Sequence, residues 1–229
     1  MTTRTARGAA FSDVDETLIR VKSMFRFLDF YLRLRGEPPA TYERLAGELR
    51  QAALRGAPRQ EINRDYYRLL RGESATRLAA AGRRWFSAEW EEQPDGLYLP
   101  DVEEALLAHR KAGRALILVS GSFFAPLDPI AADIGAQAVF ATRPVVRRGD
   151  LTGEVLAPMI GETKGRAVRL AAPVAGVDLA ASWAYGDHSS DLSMLRAVGH
   201  PVVVGDDPEL AVHAAAPGWA RLSAGLVRR

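Results

Sequence analysis

Three acidic residues, Asp13, Asp15 and Glu16, fall within four positions of the segment FSDVDETLI. Carboxylates this close resist ionising together. Three later segments carry groups that could join them. VSGS holds Ser120, Gly121 and Ser122, TKG holds Lys164, and YGDHSSD holds Asp187 and Asp191. The chemistry that needs carboxylates, a hydroxyl followed by glycine, and a lysine is transfer of a phosphoryl group. Mg2+ takes oxygen ligands, commonly one or two carboxylates with substrate phosphate and water, and such a cation stabilises acids that would otherwise repel. One aspartate can be the nucleophile and form an aspartyl phosphate. A second can protonate the leaving oxygen and later deprotonate water. A serine hydroxyl with nearby backbone N–H groups can hold phosphate oxygens, and a lysine can neutralise their charge.

Each segment alone has a plainer reading. DVDET could be a turn and a helix start, where acids suit the dipole. SGS could be a loop, Lys164 a solvated surface lysine, and GDHSSD a turn with an aspartate cap. His188 could ligate a metal, but a lone histidine is more often simply hydrogen-bonded. Glu16 reads as solvated. The combination matters because all four segments occur at expected strand-to-helix junctions of one sheet.

The elements that would position them follow from periodicity. Residues 9–13 read as a short buried strand. From about 20 to 93 the pattern turns helical, with four segments that close near Gly36, Gly56, Gly72 and Gln93, the last opening on Ser74 as a cap. After the turn-rich QPDGLYLP, strands and helices alternate. A helix runs to Gly113, RALILVSGS is a continuous apolar strand, and a helix follows at 126–134. Strand QAVFAT, a hairpin around RRGDLTGEV, helix 164–172, strand SWAYGD, helix 191–198 and strand PVVVG complete the series. This predicts an α/β fold: a doubly wound, mostly parallel Rossmann-like sheet with an all-helical domain inserted after the first strand. The expected division is a core of residues 1–19 and 94–229 and an insert of 20–93. Ligands in such sheets bind beyond the carboxyl ends of the strands.

On DVDETL, ILVSGS, TKG and YGDHSSDLSML together, the chain resembles the haloacid dehalogenase superfamily, and within it the phosphoserine phosphatase-like branch, subfamily IB. The helical insertion resembles that branch's cap. The resemblance implies Asp13 as nucleophile and Mg2+ ligand. Asp15 would be the acid/base, its backbone carbonyl also on the metal. Ser120 and the Gly121 N–H would hold the phosphate, and Lys164 would bridge nucleophile and phosphate. Asp187 would ligate the metal, directly or through water, Asp191 would orient Lys164 or metal-bound water, and Thr17 would act as a supporting residue. An aspartate at position 15 points to phosphatases and phosphomutases rather than dehalogenases or transporting ATPases. Phosphoserine phosphatases typically carry a glutamate nine residues after the nucleophile, which meets the substrate ammonium. Here that residue is Lys22, flanked by Arg20 and Arg26. The expectation is a phosphatase for a small phosphorylated metabolite other than phosphoserine, with Lys22 near the substrate, although Lys22 and Arg26 could equally line a solvated helix face. Ser190 stands where phosphoserine phosphatases tend to have asparagine. A phosphotransferase or mutase of the same superfamily, and a non-catalytic module that binds a phosphorylated ligand, are the alternatives.

Composition narrows the partners. Of 229 residues, Lys plus Arg number 30 and Asp plus Glu 28, for a net charge of +2, with no block of basic residues to argue for nucleic acid. There is no cysteine, which excludes disulfides and thiolate metal sites. No apolar run reaches the ~18 residues of a membrane span, and MTTRTARGAA lacks the apolar core of a secretory signal. The expected setting is cytoplasmic, with a small-molecule phosphate ester as partner and no nucleic acid or membrane. FRFLDFYLRL reads as core of the insert and leaves both a monomer and a homodimer open.

Overall fold

The apolar run that precedes the first acids is fully buried and forms β1 (Ala9–Ser12). In the computed structural model, which describes residues 8–93, 96–215 and 218–223, the chain then leaves the sheet for four helices. These are α1 (Ser23–Leu34), α2 (Pro39–Leu54), α3 (Arg59–Leu69) and α4 (Ala75–Glu92). It returns through α5 (Pro100–Lys111), β2 (Ala115–Ser120), α6 (Phe124–Ile134) and β3 (Ala138–Ala141). A hairpin of β4 (Pro144–Arg147) and β5 (Asp150–Val155) leads to α7 (Glu162–Ala175) and β6 (Trp183–Gly186). A 3-10 turn at Ser189–Asp191 runs into α8 (Leu192–Leu195), followed by β7 (His200–Val204), α9 (Pro208–Ala214) and β8 (Ala220–Leu222).

The main sheet has the order β3-β2-β1-β6-β7-β8, and every neighbouring pair is parallel. The chain winds from β1 to β3 on one side and then to β8 on the other, so the winding reverses beside β1. That is the doubly wound α/β fold, and its ligand crevice lies at the carboxyl edge of β1 and its neighbours. Alternate residues of the strands face opposite layers. Ala9, Phe11, Val119 and Val203 pack with Met194 and Leu195, whereas Ala10, Leu118 and Tyr185 join a larger cluster on the other face. That larger cluster runs without a break into the helical insert through Phe27, Tyr66, Tyr67 and Trp85.

The insert docks by ring packing and by one close approach. Phe123, just after β2, meets Phe27 at 5.6 Å and Tyr67 at 5.4 Å, both edge-on. Such pairs contribute about 0.5–1.5 kcal/mol each beyond the area they bury. On α4, Gly82 faces α6 so closely that a Cβ would sit 1.8 Å from the Ala125 carbonyl oxygen. Proline starts α2 and precedes α3, and the Ser74 hydroxyl accepts from the Arg77 N–H at 3.5 Å to cap α4. A stripe of Phe27, Leu28, Tyr31 and Leu32 buries one face of α1. One face of the FRFLDFYLRL stretch is therefore interior, while Arg33 and Leu34 at its end are exposed.

Several boundaries differ from the sequence expectation. The helix expected at 191–198 is a 3-10 turn and four helical residues, because the His188 ring accepts from the Ser190 N–H and the Asp191 carboxylate accepts from the His188 N–H, which tightens the first turn. The helices expected at 126–134 and 164–172 are longer, at Phe124–Ile134 and Glu162–Ala175, with Pro173 tolerated near the end of α7. Helix α9 and strand β8 carry no run long enough to stand out; β8 is three mostly exposed residues on the sheet edge. The expected turn at Pro94 and Asp95, the boundary at residue 94 and the N-terminal residues 1–7 lie outside the described residues. Among the described residues, no helix is long and apolar enough to cross a membrane.

Away from the carboxyl edge, His109 is buried, with Nε2 2.9 Å from the Tyr185 hydroxyl and its ring 4.7 Å from Trp183. Burial, then the charges of Arg114 and His200, holds its pKa down to about 4, against about 6.5 in an unfolded chain. Between those values the unfolded state binds the extra proton, so this residue's contribution to stability is full above about pH 6.5 and is lost as the pH falls toward 4. Replacing His109 with Gln should flatten the fall in thermal midpoint between pH 7 and pH 5 relative to the parent protein. Parallel slopes for the two proteins would show that His109 is not held neutral by the fold.

Candidate active site

The site is built at four chain reversals. Asp13 leaves β1 still bonded to its neighbour, its N–H donating to the Tyr185 carbonyl at 3.0 Å. A tight turn follows, in which Leu18 and Ile19 both donate to the Val14 carbonyl at 2.9 Å. Glu16 occupies the left-handed region, φ 60°, a strained conformation for a residue with a side chain. The turn buries Val14, Leu18 and Ile19 and leaves Asp13 and Asp15 lining one cavity. Ser120 ends β2, Lys164 lies in the first turn of α7, and Asp187 follows β6. Gly186 permits the last approach, since a Cβ there would fall 2.6 Å from the Cβ of Asp191.

Lys164 joins these reversals. It is buried, with Nζ 2.9 Å from Asp13 Oδ1 and 2.5 Å from Asp191 Oδ1. Burial lowers the pKa of this ammonium, but the charges of Asp13 and Asp191 outweigh it and the net shift is upward. Carboxylate oxygens of Asp13, Asp187 and Asp191 lie within 4.8 Å of one another. Thr17 supports this group from below, its hydroxyl donating to Asp187 Oδ1 at 2.6 Å. Burial raises the pKa of Asp13 well above the usual carboxylate range. Lys164 opposes that shift, while Asp191 and Asp187 add to it. Burial, then Asp191, raises Asp187 to about 6. Asp15 is raised to about 6 by burial, with hydrogen bonds from Ser23 pulling the other way. Its Oδ1 is buried without a hydrogen-bond partner.

This donor set fits a hard divalent cation. Three close carboxylates share a single ammonium, and burial, with repulsion from the neighbouring acids added to it, raises the pKa values of Asp13 and Asp187. All the side-chain donors are oxygens, as Mg2+ requires. The side-chain cluster includes Asp191, whose Oδ1 is also bonded to Lys164, whereas the Asp15 carboxylate is not part of it.

The loop after β2 is held from both sides. Ser120 Oγ accepts from the Ser122 N–H at 3.1 Å, which leaves its own proton to be donated elsewhere. The Gly121 carbonyl, on the same peptide, accepts from Asn63 Nδ2 at 2.9 Å and from the Tyr67 hydroxyl at 3.2 Å. The Ser23 hydroxyl donates to Ser122 Oγ at 2.8 Å. Asn63, Tyr67 and Ser23 all come from the helical insert. None was singled out by the sequence, because Asn63 and Tyr67 share one helical face with Tyr66 and that spacing signals only burial.

Asp13, Asp15, Lys22, Ser120, Gly121, Lys164 and Asp187 all line one cavity of about 470 Å3, while Thr17 and Asp191 lie buried beside it. Lys22 stands at its edge, half exposed and 3.2 Å from Glu16. Arg26 turns away to Glu89 and Glu92, both at 2.8 Å. His188 is occupied, its Nδ1 accepting from the Ser190 N–H at 3.0 Å.

A doubly wound sheet with this carboxylate edge defines a class of hydrolases, and comparison with known proteins agrees. A family model described as haloacid dehalogenase-like hydrolase matches residues 10–196. The chain belongs to that family and is an enzyme of its phosphatase type. A Mycobacterium tuberculosis protein named as a probable phosphatase is 32% identical over 223 residues, which is 95% of this chain and 76% of that protein. The solved structure of a Bordetella pertussis protein of unknown function superposes with a TM-score of 0.83 at 27% identity, covering 96% of this chain and all of the other. A phosphoserine phosphatase, solved as an analogue of its phospho-aspartyl intermediate, superposes with a TM-score of 0.67 at 21% identity over 94% of this chain and 93% of its own, a likeness of fold.

Removing one partner from a buried charge network leaves the others uncompensated, at a cost of about 3–5 kcal/mol. Lys164→Met should therefore lose stability of about that size in chemical denaturation with EDTA present. A loss below about 1 kcal/mol, the scale of an exposed pair, would mean that Lys164 does not hold the acids together.

Proposed function

We propose that the chain is a Mg2+-dependent phosphomonoester hydrolase that works through an aspartyl phosphate on Asp13. Residues 20–93 serve as a cap over a core of residues 1–19 and 94–229. The observation that carries this reading is the Lys164 ammonium 2.9 Å from Asp13 Oδ1 at the floor of the cavity. Lys164 favours the ionised form of Asp13 against burial and aims it, and its charge also faces an incoming phosphate.

The residues divide the work. The Ser120 hydroxyl and the Gly121 N–H donate to phosphate oxygens. Asp13 attacks phosphorus as the ester P–O bond breaks, and the leaving oxygen takes a proton from Asp15. Burial favours the protonated form of Asp15, and its unpartnered Oδ1 is available to the leaving group. The cap keeps bulk water from this first step. In the second step Asp15 takes a proton from water, water oxygen bonds to phosphorus, and Asp13 is released as a carboxylate. Asp13, Asp187 and the backbone carbonyl of Asp15 would hold Mg2+, which when bound supplies positive charge against the phosphate oxygens and offsets the repulsion among the acids. Asp191 positions Lys164, and Thr17 positions Asp187. Lys22 at the cavity edge disfavours a substrate ammonium, so phosphoserine is not the expected substrate.

With Mg2+ and 4-nitrophenyl phosphate, phosphate release should be readily measured and abolished by EDTA. Asp13→Asn should lower kcat by about 10⁴-fold or more, as loss of a covalent nucleophile does. Asp15→Asn should lower it by about 10²–10⁴-fold. Undiminished turnover in Asp13→Asn would reject the aspartyl phosphate.

A further inference from the structure

The cavity above Asp13 is larger than a serine needs. At about 470 Å3, it falls in the range that encloses drug-sized ligands. The acids that line it, Asp13, Asp15, Glu16 and Asp187, all come from the ends of sheet strands, and Glu16 is engaged with Lys22. None of the lining residues from α1 to α4 is acidic. The insert instead offers a roof of Met24, Phe25, Tyr42, Leu49, Ile62 and Tyr66. The Tyr66 hydroxyl is spent on the Met24 carbonyl at 2.8 Å, so what it can give a ligand is its ring.

The cations of the insert lie on the same cavity. Arg50 and Arg59, both exposed, come from α2 and from the first residue of α3. The contact of Arg50 with Glu43 is long, 3.7 Å, between side chains 53% and 70% exposed, which makes it a weak pair. Arg59 makes no ion pair among the described residues. An alcohol that carries an ammonium would lose hydration under an apolar roof, find no free acid there and face two guanidinium groups. An alcohol with an apolar body would be solvated by the roof, and an anion on its far side would meet the arginines.

We propose that the substrate is a phosphate monoester of a bulky, largely apolar alcohol that carries a second anionic group, such as a carboxylate, held by Arg59 with Arg50. The proposal rests on the hydrolase reading for turnover but not for binding, and its test uses both.

Three esters separate the possibilities: 3-carboxyphenyl phosphate, phenyl phosphate and phosphoserine. With Mg2+, kcat/KM should favour the carboxylated ester over phenyl phosphate by about five- to tenfold, the scale of one charged hydrogen bond at a wet rim. Phosphoserine should be the poorest of the three. Arg59→Ala should bring the ratio of the two aryl esters toward one, a change that the leaving groups' own reactivity cannot produce. Equal turnover of the aryl esters, a ratio that survives Arg59→Ala combined with Arg50→Ala, or a preference for phosphoserine would overturn the proposal. Calorimetric binding of 3-carboxybenzylphosphonate against benzylphosphonate, neither of which can be hydrolysed, reads the pocket alone. Tighter binding of the carboxylated compound with no ester turned over would support the pocket and sink the hydrolase reading. Equal binding with brisk turnover would do the reverse.

Discussion

A buried ammonium between two buried carboxylates is the constraint on which the rest of this molecule depends. Lys164 loses its hydration in the interior, and the nearby oxygens of Asp13 and Asp191 compensate it. The three groups come from the end of β1, the first turn of α7 and the turn after β6. Their distances hold only if the parallel register of β1 and β6 is kept, if Gly186 lets Asp191 approach, and if α7 begins where it does. The same contact supplies chemistry. One lysine cannot balance Asp13, Asp187 and Asp191 together, so the fold carries a cluster of acids that a divalent cation would satisfy.

The helical insert is part of the same construction. Its core is continuous with that of the sheet, and its polar groups reach the loop after β2 directly. Asn63 and Tyr67 hold the Gly121 carbonyl, and Ser23 holds Ser122. The orientation of the loop therefore depends on the position of α1 and α3. A movement that opens the insert must break these bonds, so access to the cavity and geometry of the loop are linked. Asn63 ties a third segment in, since its Oδ1 accepts from the Thr142 hydroxyl at 3.4 Å.

Much of this was legible in the sequence, for a physical reason. A doubly wound sheet brings the ends of its strands to one edge, so acids, a Ser-Gly pair and a lysine at successive strand-to-helix junctions converge whatever lies between them. Asp13, Asp15, Ser120, Lys164 and Asp187 could be read without any contact being known. The insert could not be read in that way. Helical periodicity says that Asn63, Tyr66 and Tyr67 face inward, but the same pattern serves a bundle core and a cavity roof alike. Arg26 shows the converse: its neighbour Lys22 reaches the cavity edge, whereas Arg26 turns to Glu89 and Glu92, acids more than sixty positions away that no local spacing reveals. Strand β8 and helix α9 escaped because each is too short, and β8 too exposed, to show a period.

The most direct test is a crystal structure of the protein grown with Mg2+ and beryllium trifluoride, which mimics a phosphoryl group on a carboxylate. The account predicts beryllium bonded to a carboxylate oxygen of Asp13, fluorines contacted by Ser120 and Lys164, and Mg2+ about 2.1 Å from oxygens of Asp13 and Asp187. Beryllium trifluoride bonded to another residue, or Mg2+ bound apart from Asp187, would contradict it.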